Sequence, residues 1–477
     1  MSSEYGESGC IIWLNWVQVA KLSDDMLSSE VCANARKSRD ARFDGLFYVA
    51  VKSTGIYCRP ICPAPAAKEH NVEYYQHAHN AAQAGFRPCI RCRPDSAPGS
   101  YAWMGTQTTA VRAKHLIDSG FLSSGSVEQL AEKLGITSRY LSKLYQQYYG
   151  IAPKQYALYK QCDLAKQLLQ QTSLPVTEIA YACGFNSVRR FNDAFSQLYQ
   201  ITPSSLRDGA QASRQIELMM SFRPPYNWPA LRGFLAHRLV TPLEWLEDMA
   251  YGRNFLLGVY QGRFTARFEA QKNRFRVSIE INDLKGLPLV VSNIRRVLDL
   301  DADTGFIESH LQRQCPDMSL EEGLRLPGIW TPFEAGIRAI LGQQISVAAA
   351  KNLMIQLVEQ LGSQQADGTF QFPSPQAIAG SELTFFKMPA RRKLAIVSLA
   401  QHYVSELDCM PESWLAIKGI GPWTVDYAKM RGLSAPDVYL GGDLGVQKAI
   451  DRVGQIDVPG CAPFRSYLTF QLWQQLT

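Results

Sequence analysis

The stretch "WLAIKGIGPWTVDYAKMRGLSAPDVYLGGDLGVQKAI", residues 414–450, decides how the carboxy-terminal half folds. Gly419-Ile420-Gly421 predicts a tight glycine hairpin between two helices, with the amides that open the second helix turned outward, where a phosphate could sit. A lone G-x-G is by default an ordinary turn between helices. Here one more helix leads to Asp443, which stands immediately before another helical run. Trp423 and Tyr427 are four apart and share a helix face, although each ring taken singly reads as plain core.

Working outward, residues 328–477 read as amphipathic helices broken by Gly and Pro. From about 215 to 320, "QIELMMSF", "NFLLGVYQG", "RFTARFEA" and "RFRVSIEI" read as strands of an antiparallel sheet. Residues 106–208 are helical and repeat internally. "SVEQLAEKLGITSRYLSKLYQQYYGIAPKQY" and "PVTEIAYACGFNSVRRFNDAFSQLYQITPSSLR" each give a short helix, a turn at Gly135 or Gly184, a longer helix, and a closing Pro153 or Pro203. These are two helix-turn-helix units, whose second helices can enter successive major-groove faces. Leu130, Ala131, Leu134, Ile136, Leu141 and Leu144 fall at core spacing in the first, and Ile179, Ala180, Phe185, Phe191 and Phe195 in the second. Ser138, Arg139 and Lys143, then Ser187, Arg189 and Arg190, are the exposed polar positions for base or phosphate contact, phosphate being the commoner role.

Residues 30–97 are short-stranded and cysteine-rich, and "RCRPDSAPGS" ends them in a linker. Cys58, Cys62, Cys89 and Cys92 form C-x3-C and, at a distance, C-x2-C. Two such knuckles converge on one tetrahedral metal, and the ligand type points to zinc. Arg59, Arg87, Arg91 and Arg93 crowd these thiols, which a purely structural zinc site does not require. Each is otherwise a solvated charge.

The 477 residues, 46% of them hydrophobic, leave room for about three domains, and a net charge of +6 suits a polyanionic partner without establishing one. The apolar start "CIIWLNWVQVA" follows Glu4 and Glu7, lacks a basic flank and is too short to span a bilayer. The expectation is a cytoplasmic protein with no membrane partner and with thiols reduced or metal-bound. Residues 1–25 read as an extension, and Met26 as the start of the first folded unit.

Three resemblances follow from these residues. "SRDARFDGLFYVAVKSTGIYCRPICPAPAAKEHNVEYY" with "AAQAGFRPCIRCRPD" resembles the amino-terminal zinc domain of the Ada adaptive-response proteins. The resemblance implies that Cys58 is both zinc ligand and nucleophile, taking a methyl group from a DNA methylphosphotriester, with the arginines meeting the DNA backbone. The helical repeat resembles the AraC-type DNA-binding domain through its Ile-Ala, Gly-Phe, Phe-x-x-x-Phe and Thr-Pro signatures. Hairpin, helix, then aspartate is the pattern of the helix-hairpin-helix DNA glycosylases. "FRPPYNWPALRGFLAHR", "LRLPGIWTPFEAGIRAILGQQISVAAAKNL" and "PFRSYLTFQLW" are similar to the AlkA type of 3-methyladenine glycosylase.

The implied architecture is a multidomain α+β chain. It comprises a small α/β zinc domain (26–97), an all-α double helix-turn-helix domain (106–208), a TBP-like antiparallel β-sheet/α subdomain (215–320) and an all-α helix-hairpin-helix glycosylase domain (328–477). The implied function is methyl transfer to zinc-bound Cys58, transcription regulation, and monofunctional excision of alkylated purines by Asp443. Trp423, Tyr427 and Trp473 would line the base pocket, and Gly419 and Gly421 would grip DNA. The position that carries a lysine in strand-cutting relatives is Trp423, which offers no Schiff base. Either Gln344 or Ile345 would be the wedge replacing the flipped base. The implied cofactors are one zinc ion and a monovalent cation at the hairpin. The implied partners are double-stranded alkylated and promoter DNA and RNA polymerase, and the protein is expected as a monomer. The Pro-Cys-His-Arg motif of the usual second Ada methyltransferase domain does not occur in the sequence. The alternative is a non-enzymatic alkylation sensor with an inactive glycosylase half, against which Asp443 argues.

Overall fold

The computed structural model describes residues 28–39, 43–95, 106–118, 120–207, 216–405, 410–454 and 456–476. The expected extension 1–25, the start at Met26 and the linker after Asp95 lie outside the described residues. The chain forms two compact units, 1–108 and 109–477.

In the first unit, β1 (Tyr48–Val51), β2 (Ile56–Cys58), β3 (Val72–Tyr75) and β4 (Arg87–Pro88) form a sheet in the order β3-β1-β2-β4. β1 pairs antiparallel with β2 and β3. β2 and β4 run parallel, with Ile56 opposite Arg87 and Tyr57 opposite Pro88. Just beyond, the Cys89 amide donates to the Tyr57 carbonyl (2.9 Å), so strand pairing brings the two cysteine knuckles side by side. The helix Ser29–Ser38 starts at Ser28, whose hydroxyl accepts the Val31 amide, and buries Cys32 and Ala35 against Phe47 and Val49.

The second unit opens with the helical repeat. Helices Val127–Lys133 and Ser138–Tyr149, then Val176–Ala182 and Val188–Tyr199, are joined by turns at Gly135 and Gly184, both at positive φ. Thr137 and Ser187 cap the longer helices by accepting from Tyr140 and Arg190 amides, so the Ser187 hydroxyl has a structural task at a position expected to face DNA. All five expected core residues of the second repeat are buried; in the first, Leu134 and Ile136 are only partly so.

The five-stranded sheet is antiparallel throughout: β5 (Ile216–Ser221), β6 (Glu244–Leu246), β7 (Ala250–Leu257), β8 (Tyr260–Glu269) and β9 (Arg274–Ile281) lie in the order β5-β9-β8-β7-β6. "NFLLGVYQG" is not one strand. Leu257 pairs with Tyr260, and Gly258 at φ +64 turns the chain between them. β7 begins earlier than its pattern suggests because its first six residues are all buried, which erases alternation.

The repeat and the sheet share one apolar cluster running from Leu168, Ile179 and Phe195 to Leu218, Met220 and Phe275. β5 is an edge strand. The outward Met219 amide donates to Gln171 Oε1 (2.8 Å), and the Met219 carbonyl accepts from Gln167 Nε2 (3.1 Å). Both glutamines lie on the helix Pro153–Gln171, which thereby satisfies a strand edge otherwise open to non-native pairing. A buried ionic network then ties the sheet to the helix Pro332–Gly342: Arg253 on β7 bonds Glu334 (2.8 Å), and Arg338 bonds both Glu334 (2.8 Å) and Glu244 (3.0 Å).

Candidate functional site

The four cysteine sulfurs lie within 4.8 Å of one another, and Cys62 and Cys89 are 3.9 Å apart. A tetrahedral zinc with bonds of about 2.3 Å needs sulfurs about 3.8 Å apart, so the donor set fits. The thiols cannot all ionise together unaided: hydrogen bonding among them pushes Cys58 up and pulls Cys62 down. A zinc ion held by these four cysteines would supply the charge that keeps them all deprotonated. Cys62, Cys89 and Cys92 are buried, whereas Cys58 is only partly buried. The Arg59 amide donates to Cys92 Sγ (3.3 Å), and a backbone hydrogen bond from Ala64 reaches Cys62.

The arginines divide. Arg87, Arg91 and Arg93 are exposed. Arg59 is not the surface charge that sequence suggested: it is 6% exposed, forms a two-pronged ion pair with Asp44, and donates to the Cys92 carbonyl (3.2 Å). The reason is position, since it follows Cys58 at the end of β2, where the side chain turns into the module and finds a carboxylate. In the helical repeat, Arg139, Lys143, Arg189 and Arg190 are all exposed.

The carboxy-terminal half holds a cleft of about 1150 Å³. Trp423, Tyr427, Trp473, Asp443, Gln344, Ile345 and Gly421 all line it, so residues spread over 130 positions of sequence meet in one place. Trp423 and Tyr427 stack, with ring centroids 5.3 Å apart. Asp443 is the N-cap of the helix Leu444–Val453. Its Oδ1 accepts the amides of Gly445 (2.9 Å) and Val446 (3.1 Å) and the indole Nε1 of Trp473 (3.0 Å). Among the described residues no donor reaches Oδ2, which leaves that oxygen for a substrate or water.

The hairpin's first arm is a short 3-10 helix, Pro411–Ala416, and its second the helix Pro422–Gly432. Gly419 has φ +98, open only to glycine without strain, and a Cβ there would meet Ala395 Cβ at 3.0 Å. Gly421 is extended, and a Cβ there would meet nothing within 4 Å. Pro422 brings no N–H, so the outward donors at this helix start are Gly421 and Trp423.

Sequence spacing missed Gln343. Its Nε2 donates to the Gly419 carbonyl and to Thr424 Oγ1 (3.3 Å each), and its own carbonyl accepts from Arg392 (2.6 Å). It thus ties the hairpin to the turn bearing Gln344, which is exposed at the left-handed φ of 59. Phe234, Arg238, Lys351 and Lys448 also line the cleft. The four-residue spacing of Phe234 and Arg238 was the available signal for a shared face.

Residues 31–95 match the metal binding domain of Ada, residues 130–209 a helix-turn-helix domain, and residues 217–331 the AlkA N-terminal domain. A probable bifunctional transcriptional activator/DNA repair enzyme AlkA of Mycobacterium tuberculosis is 33% identical over 483 residues, covering 94% of this chain and 96% of that protein. DNA-3-methyladenine glycosylase 2 of Escherichia coli is 28% identical over 272 residues, 53% of this chain and 95% of that protein. The bifunctional transcriptional activator/DNA repair enzyme Ada of Escherichia coli is 30% identical over 190 residues, 40% of this chain and 51% of that protein. A four-thiolate module, a double helix-turn-helix and a carboxylate-bearing helix-hairpin-helix cleft in one chain define a DNA-repair protein joined to a transcription regulator. The chain belongs to the family of bifunctional transcriptional activator/DNA repair enzymes that couple an Ada-type amino-terminal half to an AlkA-type glycosylase.

Proposed function

We propose that the chain senses and repairs alkylated DNA by three linked activities. In the zinc module, Cys58 Sγ attacks the methyl carbon of a DNA methylphosphotriester. The S–C bond forms, the C–O bond breaks, and the electron pair returns to the phosphate as a diester anion. A thioether is not readily reversed, so each chain acts once. The partial exposure of Cys58 among buried neighbours favours it as the acceptor. Arg87, Arg91 and Arg93 meet the backbone, while Arg59 holds the two knuckles together from inside. Loss of one thiolate charge then raises affinity for DNA, and the helix-turn-helix units, through Arg139, Lys143, Arg189 and Arg190, carry the change to a promoter and RNA polymerase.

In the cleft, an alkylated purine flipped out of the duplex stacks on Trp423, Tyr427 and Trp473. The bond from sugar to base breaks with its electron pair going to the base, positive charge grows on the sugar, and the open side of Asp443 stabilises it and positions water. The product is an abasic site, since Trp423 offers no amine. Gly419 and Gly421, with a monovalent cation, hold the backbone. Gln344 is the wedge in preference to Ile345, because it is the exposed residue of the pair. The domains are taken as 26–97, 106–208, 215–320 and 328–477, in a cytoplasmic monomer. No helix among the described residues is long and apolar enough to cross a membrane.

The observation that carries the excision reading is Asp443, pinned through one oxygen on the wall of a ring-lined cleft, its other oxygen met by no donor among the described residues. Incubation with methylated DNA tests it. Wild type should release 3-methyladenine and Asp443→Asn should not; undiminished release by the variant sinks the assignment.

A further inference from the structure

Among the described residues, Cys315 and Cys461 are the cysteines outside the metal set whose sulfurs touch. The two Sγ atoms are 3.6 Å apart although 146 positions separate them in sequence. Cys315 caps the end of the helix Thr304–Gln314, and Cys461 lies in the loop between the helices Leu444–Val453 and Arg465–Gln474. Backbone hydrogen bonds hold both in place. The Cys315 amide donates to the Leu311 carbonyl (2.9 Å), and the Cys461 amide to the carbonyls of Asp457 (3.2 Å) and Val458 (3.3 Å). His310 Nε2 donates to the Gly460 carbonyl (3.0 Å) and so ties the two segments together beside the sulfurs. Gln312 Nε2 fixes the turn after Cys315 by donating to the carbonyls of Cys315 and Met318 (3.2 Å each).

A disulfide sets its sulfurs about 2.05 Å apart, so each thiol has to move by less than about 1 Å, which rotation about its Cα–Cβ bond supplies. Both side chains are buried, yet neither is deep. Pro316 and Asp317 are exposed beside Cys315, and Pro459 and Pro463 near Cys461. An oxidant little larger than water therefore needs only a small opening of that loop. The two thiols are not equivalent. The hydrogen bond between them pulls Cys315 down and pushes Cys461 up, so Cys315 ionises first and is the nucleophile of the pair.

We propose that Cys315 and Cys461 form an oxidative modification site, a dithiol that hydrogen peroxide converts to a disulfide and that small thiols restore. The Cys315 thiolate attacks one peroxide oxygen; the S–O bond forms, the O–O bond breaks, and the departing hydroxide takes a proton to become water. The Cys461 sulfur then attacks the resulting sulfenic acid. The S–S bond forms, the S–O bond breaks, and the oxygen leaves as a second water. Two thiols thus lose two electrons and two protons, and one peroxide is reduced to two waters. The bond staples the loop that joins the helix capped by Asp443 to the helix bearing Trp473 onto the helix Thr304–Gln314, with which both share an apolar cluster. Closing so long a stretch of chain restricts the unfolded state strongly, so oxidation stabilises this part of the fold.

The test treats the full, zinc-loaded, freshly reduced chain with hydrogen peroxide in native buffer, blocks the remaining thiols and maps peptides by mass spectrometry. A linked Cys315–Cys461 peptide should form, disappear on adding dithiothreitol, and be absent from Cys315→Ala and Cys461→Ala. The zinc-site thiols meet the same peroxide, so treated Cys315→Ala is the baseline for stability. Oxidised wild type should melt roughly 5 °C higher than its reduced form, and the variant should show no such rise. Exposed Met249 and Met410 report the dose by becoming sulfoxides. No linked peptide once those methionines are oxidised, or a link that forms only in denaturant, overturns the proposal. A linked peptide without the rise in melting temperature overturns the staple. Should both variants fail to fold, the wild-type peptide map and its melting before and after dithiothreitol still decide the matter.

Discussion

Trp473 donates its indole Nε1 to Oδ1 of Asp443 at 3.0 Å, which makes a wall of the cleft and the carboxylate one piece. Because Oδ1 also caps a helix, the side chain cannot rotate without losing three hydrogen bonds. Asparagine keeps an acceptor at that oxygen. Asp443→Asn is therefore expected to melt close to wild type while its excision rate falls at least about 100-fold, because the lost charge acts on the transition state. Parallel melting curves and 3-methyladenine release check both halves of the statement.

Trp473→Phe keeps a ring and removes the donor. Loss of one hydrogen bond to a charged acceptor should cost about 1.5–3 kcal/mol of orientation, and it should appear in kcat more than in KM. A variant that loses affinity alone would mean Trp473 only stacks.

The cysteines should separate by role. Cys58→Ser should leave three thiolates around the metal and abolish methyl transfer, seen by mass spectrometry as no added methyl after exposure to methylphosphotriester DNA. Cys62→Ser, or a strong chelator, should remove the metal and unfold the module, since binding free energy at such sites is folding free energy. Circular dichroism of the chelated chain reports the second outcome.

The hairpin glycines should also differ. Gly419→Ala imposes a left-handed φ on a residue with a Cβ and crowds Ala395, so a stability loss of about 1–3 kcal/mol is expected with weaker DNA binding. Gly421→Ala has room within the protein and should melt normally, yet bind DNA less tightly if a phosphate approaches that backbone. Unchanged DNA affinity in Gly421→Ala would remove the hairpin from the binding surface.

At the sheet edge, Gln171→Ala strands the Met219 amide, a loss of about 1–3 kcal/mol for a part-buried donor. Because the repeat and the sheet share a core, wild-type residues 109–477 should melt in one transition, and Gln167→Ala/Gln171→Ala should bring it down or split it. Two transitions in wild type would show the modules to be independent.

Periodicity, turn glycines and ligand spacing made the repeat, the cysteine quartet and the order of hairpin, helix and Asp443 legible in the sequence, because those signals act over a few residues. The early start of β7 was not legible, since burial on both faces leaves no alternation to read, and β6, three residues long, is too short to show a period.

By itself, then, the sequence determined which groups can ligate, stack and turn, for these are properties of residue type and short spacing. Tertiary structure alone decided that Arg59 faces inward to Asp44, that Gln343 locks the hairpin, that Gln167 and Gln171 close the edge of β5, and that Cys315 meets Cys461. The physical reason is distance along the chain. A charge or amide takes its meaning from the atom it meets after folding, and the partners of Gln167, Gln171 and Gln343 lie tens of residues away, where no local pattern points to them.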